Sequence, residues 1–171
     1  MFSTIVFTVC TANYLAQAKA MADSVIKYNK GYVVFIGIVD KLNGRIDTTA
    51  FKPHQLIEVE DLNLPEFADM KERYNLLELS CALKSFYVSY FFKKYEPEKI
   101  IYLDTDILVF HSFEFIEQKL DKYSLLLTPH IAAPFPPDGK RPQEKEMLKN
   151  GIYNAGFFAL KNDENAAEFL K

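Results

Sequence analysis

A chain of 171 residues with 49% hydrophobic and 15% aromatic residues carries enough apolar material for one compact domain with a sizeable core. Its 20 Lys and Arg against 23 Asp and Glu give a net charge of −3, with no basic block that could line a duplex or an anionic bilayer, which disfavours nucleic acid as a partner. A polyanionic ligand such as a diphosphate then has to be neutralised locally, by a cation held on carboxylates, by a helix N-terminus or by single lysines.

The first apolar segment, Ile5 to Val9, is β-branched and aromatic and reads as a strand. The N-terminal stretch has no basic lead and no small-residue cleavage site, and at about nine residues it is too short to span a membrane. Cys10 and Cys81 each fall in an apolar stretch far from the other, the pattern of buried free thiols in a reducing compartment. The expectation is a cytoplasmic protein without a transmembrane segment, peripheral at a membrane at most.

Residues 13–29 switch to helical spacing, with Leu15, Ala18, Ala22, Val25 and Ile26 on one stripe, and Gly31 ends the helix. Residues 32–39 are continuously apolar and closed by Asp40, as for a strand buried on both faces of a parallel sheet, so the opening is a βαβ unit. Leu56 to Val59 alternates like a shorter strand, and Pro65 opens a weak helix to Arg73. From 75 to 95 a longer helix recurs at three and four, through Leu76, Leu79, Leu83, Phe86, Tyr87, Tyr90 and Phe91, until Pro97 prevents continuation. Residues 99–103 are a strand, Asp104-Thr105-Asp106 follows, and 107–110 is expected to be a second strand.

Residues 113–120 form a short helix, and 124–128 a strand ending in Pro129-His130. Four prolines and Asp138-Gly139 make 132–142 a loop, read as a mobile lid. Residues 143–149 are a helical turn or two, 151–160 is strand-like around Asn154-Ala155-Gly156, and Asn162 or Asp163 caps a last helix. Alternating strands and helices give an α/β fold with a largely parallel sheet, which binds ligands at the carboxyl ends of its strands. Residues 8–14, Asp40, Asp104 to Asp106 and Pro129-His130 all fall at such ends.

In an extended segment positions i and i+2 face one side, so Asp104 and Asp106 are expected to meet one ligand while Thr105 points away. Two carboxylates so placed suit a hard divalent cation, and Mg²⁺ or Mn²⁺ keeps open positions for substrate phosphates. The triplet alone is equally compatible with a turn between two strands whose carboxylates are solvated.

The segment from Ile101 to Val109, with Ala82-Leu83-Lys84 before it and Tyr153-Asn154-Ala155-Gly156-Phe157-Phe158-Ala159-Leu160 after it, resembles the GT-A glycosyltransferases. The likeness is closest to bacterial relatives of the group that includes glycogenin and galactosyltransferases of lipopolysaccharide synthesis, and it spans nearly the whole chain. It implies one domain with a Rossmann-like, mixed and mostly parallel sheet flanked by helices. Residues 1–110 would form the nucleotide-binding part, and 111–171 the donor-sugar and acceptor side. The implied activity is metal-assisted transfer of a sugar from a nucleoside-diphosphate donor, a UDP-sugar, to a hydroxyl acceptor on a glycan or glycolipid.

By the same resemblance Thr8, Cys10, Thr11, Ala12, Asn13 and Tyr14 would hold the nucleotide, with Tyr14 stacked on the base, and Asp40 would reach the base or ribose. Lys84 would be the basic residue near the donor. Asp104, with Thr105 beside it, would contact ribose or sugar hydroxyls and the metal, and Asp106 would be the main metal ligand. Asn154, Ala155 and Gly156 would lie beneath the donor sugar, where glycine permits close backbone approach. Such enzymes often complete the metal site with a His or Asp well beyond the Asn-x-Gly segment, and the chain ends inside a helix first. It is therefore expected to be truncated at its C-terminus or to have an incomplete metal site, with His130 as a substitute ligand or a hydrogen-bonded structural residue. No base can be assigned among Asp138, Glu144 and Glu146.

Plainer readings stand beside these: Tyr14 as a cap on the first helix, Lys84 as a snorkelling lysine, Asp40 as a turn residue, Asn154-Ala155-Gly156 as a β-bulge. Among other enzymes, a low-molecular-weight tyrosine phosphatase would need arginine where Ala16 stands. A haloacid-dehalogenase-type phosphatase expects Thr or Val with Gly after the second Asp, where Ile107-Leu108-Val109 continues. A sugar-nucleotide pyrophosphorylase needs a Gly-rich first loop with Arg, unlike Thr11 to Tyr14. A catalytically inactive nucleotide-sugar-binding or scaffold domain is the alternative from another class.

Overall fold

A computed structural model describes residues 3–42, 44 and 46–170. In chain order its elements are β1 (Thr4–Cys10), α1 (Leu15–Tyr28), β2 (Val33–Ile38), β3 (Gln55–Glu58), α2 (Phe67–Arg73), α3 (Leu76–Tyr95), β4 (Lys99–Leu103), α4 (Glu114–Leu120), β5 (Leu125–Pro129), α5 (Glu144–Asn150), β6 (Tyr153–Lys161) and α6 (Glu164–Phe169). One six-stranded sheet takes the order β3-β2-β1-β4-β6-β5. Its first four strands are mutually parallel, β6 runs antiparallel to β4, and β5 antiparallel to β6. This is the mixed, mostly parallel α/β sheet expected, with the carboxyl ends of β1, β2, β4 and β5 on one rim.

The continuous apolar runs are explained by burial on both faces. Every residue of β1 is buried. Alternate side chains serve two cores: Val6 and Cys10 join α1, whereas Ile5, Phe7 and Val9 join α3. The α3 helix begins at a capping box, in which Asn75 Oδ1 accepts from the Glu78 amide at 3.0 Å and Glu78 Oε2 from the Asn75 amide at 2.9 Å. It ends at Glu96 in the left-handed region, φ 48°, just before Pro97. Leu79, Leu83, Lys84, Tyr87, Val88 and Phe91 are its buried stripe, and the lysine in that stripe is the residue on which the site turns.

Residues 107–110 are not the second strand expected. Val109 is buried and Ile107 half-buried, while Leu108 and Phe110 are exposed, so the segment has a strand's alternation. Both edges of β4 are already occupied, by β1 and β6. The backbone finds other partners: the Ile107 amide donates to Asp104 O at 3.2 Å and the Val109 amide to the Ser24 hydroxyl on α1 at 3.0 Å. The Phe113 amide donates to buried Asn29 Oδ1 at 2.6 Å, so the whole connection is pinned to α1. The buried-thiol expectation holds for Cys10 only; Cys81 is an exposed free cysteine on α3.

At the carboxyl ends of β2 and β3, the Tyr87 hydroxyl lies 3.1 Å from Ile38 O and 3.0 Å from Ile57 O and donates to this pair of carbonyls. A Cβ on Gly37 would meet the Tyr87 ring at 2.7 Å. Gly37→Ala is expected to destabilise the protein by about 1–3 kcal/mol through overpacking, seen as a lower urea midpoint at unchanged slope. A midpoint equal to that of wild type would show that α3 is not seated this closely on β2.

Candidate functional site

At the carboxyl ends of β1 and β4 lies a cavity of about 570 Å³, lined by Thr11 and Tyr14 after β1, Cys81 and Lys84 from α3, and Asp104 with Asp106 after β4. Its geometry follows from one buried cation. The Lys84 ammonium donates to Asp104 Oδ1 at 3.1 Å and to Ala155 O at 2.9 Å, and stands 4.3 Å above the centroid of the Tyr102 ring. An ammonium on a helix's buried stripe is tolerated only with such partners, here a carboxylate, a carbonyl and an aromatic face. The Lys84 side chain is 11% exposed and that of Asp104 41%, so the pair straddles the cavity wall.

The Tyr102 hydroxyl also donates to Asp104 Oδ1. Burial first, and then the Asp104 charge, push the Tyr102 phenol far above its ordinary pKa, so it keeps its proton. Asp104 continues the ladder for one further bond, from its amide to Gly156 O at 2.8 Å. On the facing strand the register jumps: Leu127 pairs with Phe158 but Thr128 with Asn154, which bulges the intervening residues of β6 away from β5. The Gly156 amide donates to Asn154 Oδ1 at 2.6 Å. A Cβ on Gly156 would lie 2.8 Å from that oxygen and 3.0 Å from Asp104 Oδ2, so any other residue pushes against both.

Residues 5–170 match the family model for glycosyl transferase family 8. The chain belongs to that family. Its fold is that of GT-A glycosyltransferases, shared with mouse xyloside xylosyltransferase 1 in its apo form (TM-score 0.58, 13% identity, 99% of this chain and 72% of that one). Similar too are galactosyltransferase LgtC in complex with donor and acceptor sugar analogues (0.60, 19%, 92% and 57%) and the bifunctional glycosyltransferase WbbM (0.57, 18%, 98% and 33%). The chain thus spans little more than half the length of LgtC and a third of WbbM. No curated protein sequence matches it.

Of the residues that the family likeness singled out, the structure brings Cys10, Thr11, Tyr14, Lys84, Asp104, Thr105 and Asp106 to one cavity. Ala155 and Gly156 are tied to it through Lys84 and Asp104. Thr8 is fully buried inside β1 and does not line the cavity. Asn13 is exposed in the 3₁₀ turn Ala12–Tyr14 and does not line the cavity. Asp40 is a brace: its Oδ1 accepts from the Ala12 amide at 2.8 Å and fixes the β1–α1 loop. It faces a neighbouring recess of about 460 Å³, beside the ion pair of Lys41 and Glu60 at 3.2 Å.

His130 lies apart from Asp104 and Asp106, outside the cavity they line. It stands at the end of β5, separated from β4 by β6, with Nδ1 3.0 Å from Gly151 O and its amide donating to Ile152 O at 2.9 Å. Among the described residues no three His, Cys, Asp or Glu side chains cluster as a metal-holding group. The carboxylates of Asp138 and Glu146 cap their own loop and helix, accepting from the amides of Lys140 and Gln143. With Glu144 they lie outside the cavity. Residues 132–142 are irregular and exposed or half-exposed, and none of them lines the cavity.

The triplet itself is a turn, so Asp104 and Asp106 do not share the face of an extended strand. They still reach one cavity. Among the described residues Asp106 and Asp104 Oδ2 have no hydrogen-bond partner, which leaves one open carboxylate and one open oxygen on the same wall. That donor set fits Mg²⁺ or Mn²⁺, which binds through one or two carboxylates and fills its other positions with water and phosphate oxygens.

Two residues of the cavity wall, Tyr102 and Cys81, were not among those expected at the site. Tyr102 precedes Asp104 by two on one strand face, and Cys81 precedes Lys84 by three on the helix, spacings that could have found them. Burial, helped by the nearby Asp40 charge, pushes the Cys10 thiol up to about 12, whereas Cys81 is exposed. At about pH 8 native protein is expected to consume one equivalent of a thiol reagent, the second only on unfolding, and Cys81→Ser to abolish the native reaction. Two rapid equivalents from native protein would show that Cys10 is accessible.

Proposed function

We propose that this chain binds a nucleoside-diphosphate sugar, UDP-linked, and transfers the sugar to a hydroxyl acceptor of glycan or glycolipid type. The observation that carries this reading is the single cavity at the strand ends where Lys84 ties Asp104 to the Ala155–Gly156 backbone. Residues 1–110 supply the nucleotide side, with Tyr14, 54% exposed at the rim, as the surface on which the base stacks. Residues 111–171 supply the donor-sugar side, where Gly156 lets the sugar approach the backbone. Asp104 Oδ2 accepts from donor hydroxyls while Oδ1 is held by Lys84 and Tyr102.

Asp104 and Asp106 would hold a Mg²⁺ or Mn²⁺, which supplies charge neutralisation for the diphosphate and for the leaving nucleotide. The loop 132–142, which follows β5 on the same rim, closes over the donor and excludes water. Its action is placed in the cytoplasm, at most peripheral to a membrane; among the described residues no helix is long and apolar enough to cross one. The other reading is a donor-binding module without turnover; among the described residues no three His, Cys, Asp or Glu cluster as a metal-holding group. Binding of UDP-sugar and Mn²⁺ without transfer or hydrolysis would select it.

UDP is expected to bind at least about tenfold more tightly with Mn²⁺ than with EDTA, because carboxylates and diphosphate repel each other without the cation. Asp106→Asn should remove that gain at an unchanged melting temperature, since the residue is exposed in a turn. Calorimetric titration reads both; equal affinities in Mn²⁺ and EDTA for wild type would end the metal role. Gly156→Ala should weaken binding of both UDP and UDP-sugar in Mn²⁺, because the added methyl pushes against Asp104 Oδ2. Unchanged affinity for both ligands would show that this oxygen is not needed.

A further inference from the structure

In the proposed chemistry the Tyr102 hydroxyl touches neither the donor nor the cation. Tyr102 is wholly buried on β4, beside its register partners Phe7 of β1 and Phe158 of β6. Phe7 meets its ring edge-on at 5.0 Å and Phe158 stacks on it at 4.8 Å with the planes 11° apart. Lys84 closes the remaining side, 4.3 Å from the centroid. A phenylalanine would fill this slot equally well, and a phenol placed there must find a hydrogen-bond partner for its hydroxyl. That partner is Asp104 Oδ1, two residues along the same strand face, which also accepts from Lys84 at 3.1 Å.

A carboxylate turns easily about its terminal torsion, which is broad and roughly two-fold. Two donors converging on Oδ1 remove that freedom, and Oδ2 is left facing Gly156 and the cavity. We infer that Tyr102 is a positioning residue, which sets the Asp104 carboxylate so that Oδ2 is the oxygen offered to the cation and donor. It touches neither, and the inference rests on the proposed function.

The test is a calorimetric titration of UDP, in Mn²⁺ and in EDTA, on wild type, Tyr102→Phe, Asp104→Asn and the double variant. Tyr102→Phe keeps the ring, its stacking and the Lys84 contact, and removes only the donor. The expected result is a weakening of about tenfold with Mn²⁺, no change in EDTA, and an unchanged melting temperature of the free protein. In the Asp104→Asn background Tyr102→Phe should change nothing further, because its effect runs through that carboxylate. Equal weakening in Mn²⁺ and EDTA, additive effects in the double variant, or a clearly lower melting temperature would assign Tyr102 to packing and overturn the inference. A wild-type gain from Mn²⁺ that Tyr102→Phe leaves intact would overturn it alone. No gain in wild type would overturn the metal role and the inference together.

Discussion

The site depends on one ammonium group. Lys84 projects from the buried stripe of α3 and joins three elements: the helix, the end of β4 at Asp104, and the bulged start of β6 at Ala155. Removing such a charge from water is unfavourable unless every partner is in place, so the lysine makes the three mutually dependent. A helix that slid by one turn would strand the ammonium. The position of α3 is therefore set twice, by its apolar stripe and by the charge within it. The second constraint is what turns a strand end into a cavity wall.

The βαβ opening and the long helix were legible because their signals are local and redundant. Continuous apolar runs of strand length mark strands buried on both faces, and Asn75, Glu78 and Pro97 mark the ends of α3. Residues 107–110 misled because alternation reports which side chains are buried and not whether a ladder partner exists. With β1 and β6 on either side of β4, the sheet has no place for that segment, and the amides of Val109 and Phe113 are met by Ser24 and Asn29 across 85 and 84 residues of sequence. No local pattern encodes a partner so distant.

At the site, residue type was legible and role less so. Asp104, Asp106, Lys84 and Tyr14 reach one cavity as expected, because strand ends of a parallel sheet meet on one rim. Where Thr8 and Asp40 point was not legible, since burial and loop geometry decide it: Thr8 lies buried within β1, and Asp40 turns back to the Ala12 amide. His130 looked available because Pro129-His130 also ends a strand on that rim, yet β6 lies between. Topology decides such cases, and the order of β5 and β6 is not readable from their sequences.

The charge count of the cavity wall connects these points to the overall composition. A net charge of −3 provides no broad basic field for a diphosphate, so neutralisation has to be local. Lys84 donates to Asp104 and Ala155, so its charge is already balanced by a carboxylate of the same wall. The wall therefore presents the uncompensated charge of Asp106 beside an open oxygen of Asp104, which attracts a divalent cation and repels a bare diphosphate. In the proposed reaction this asymmetry divides the labour: Asp106 contributes charge, and Asp104, already balanced by Lys84 and held by Tyr102, contributes direction. An aspartate fixed in this way can accept from a neutral hydroxyl of the donor as readily as from a cation, because its oxygen is oriented before either arrives.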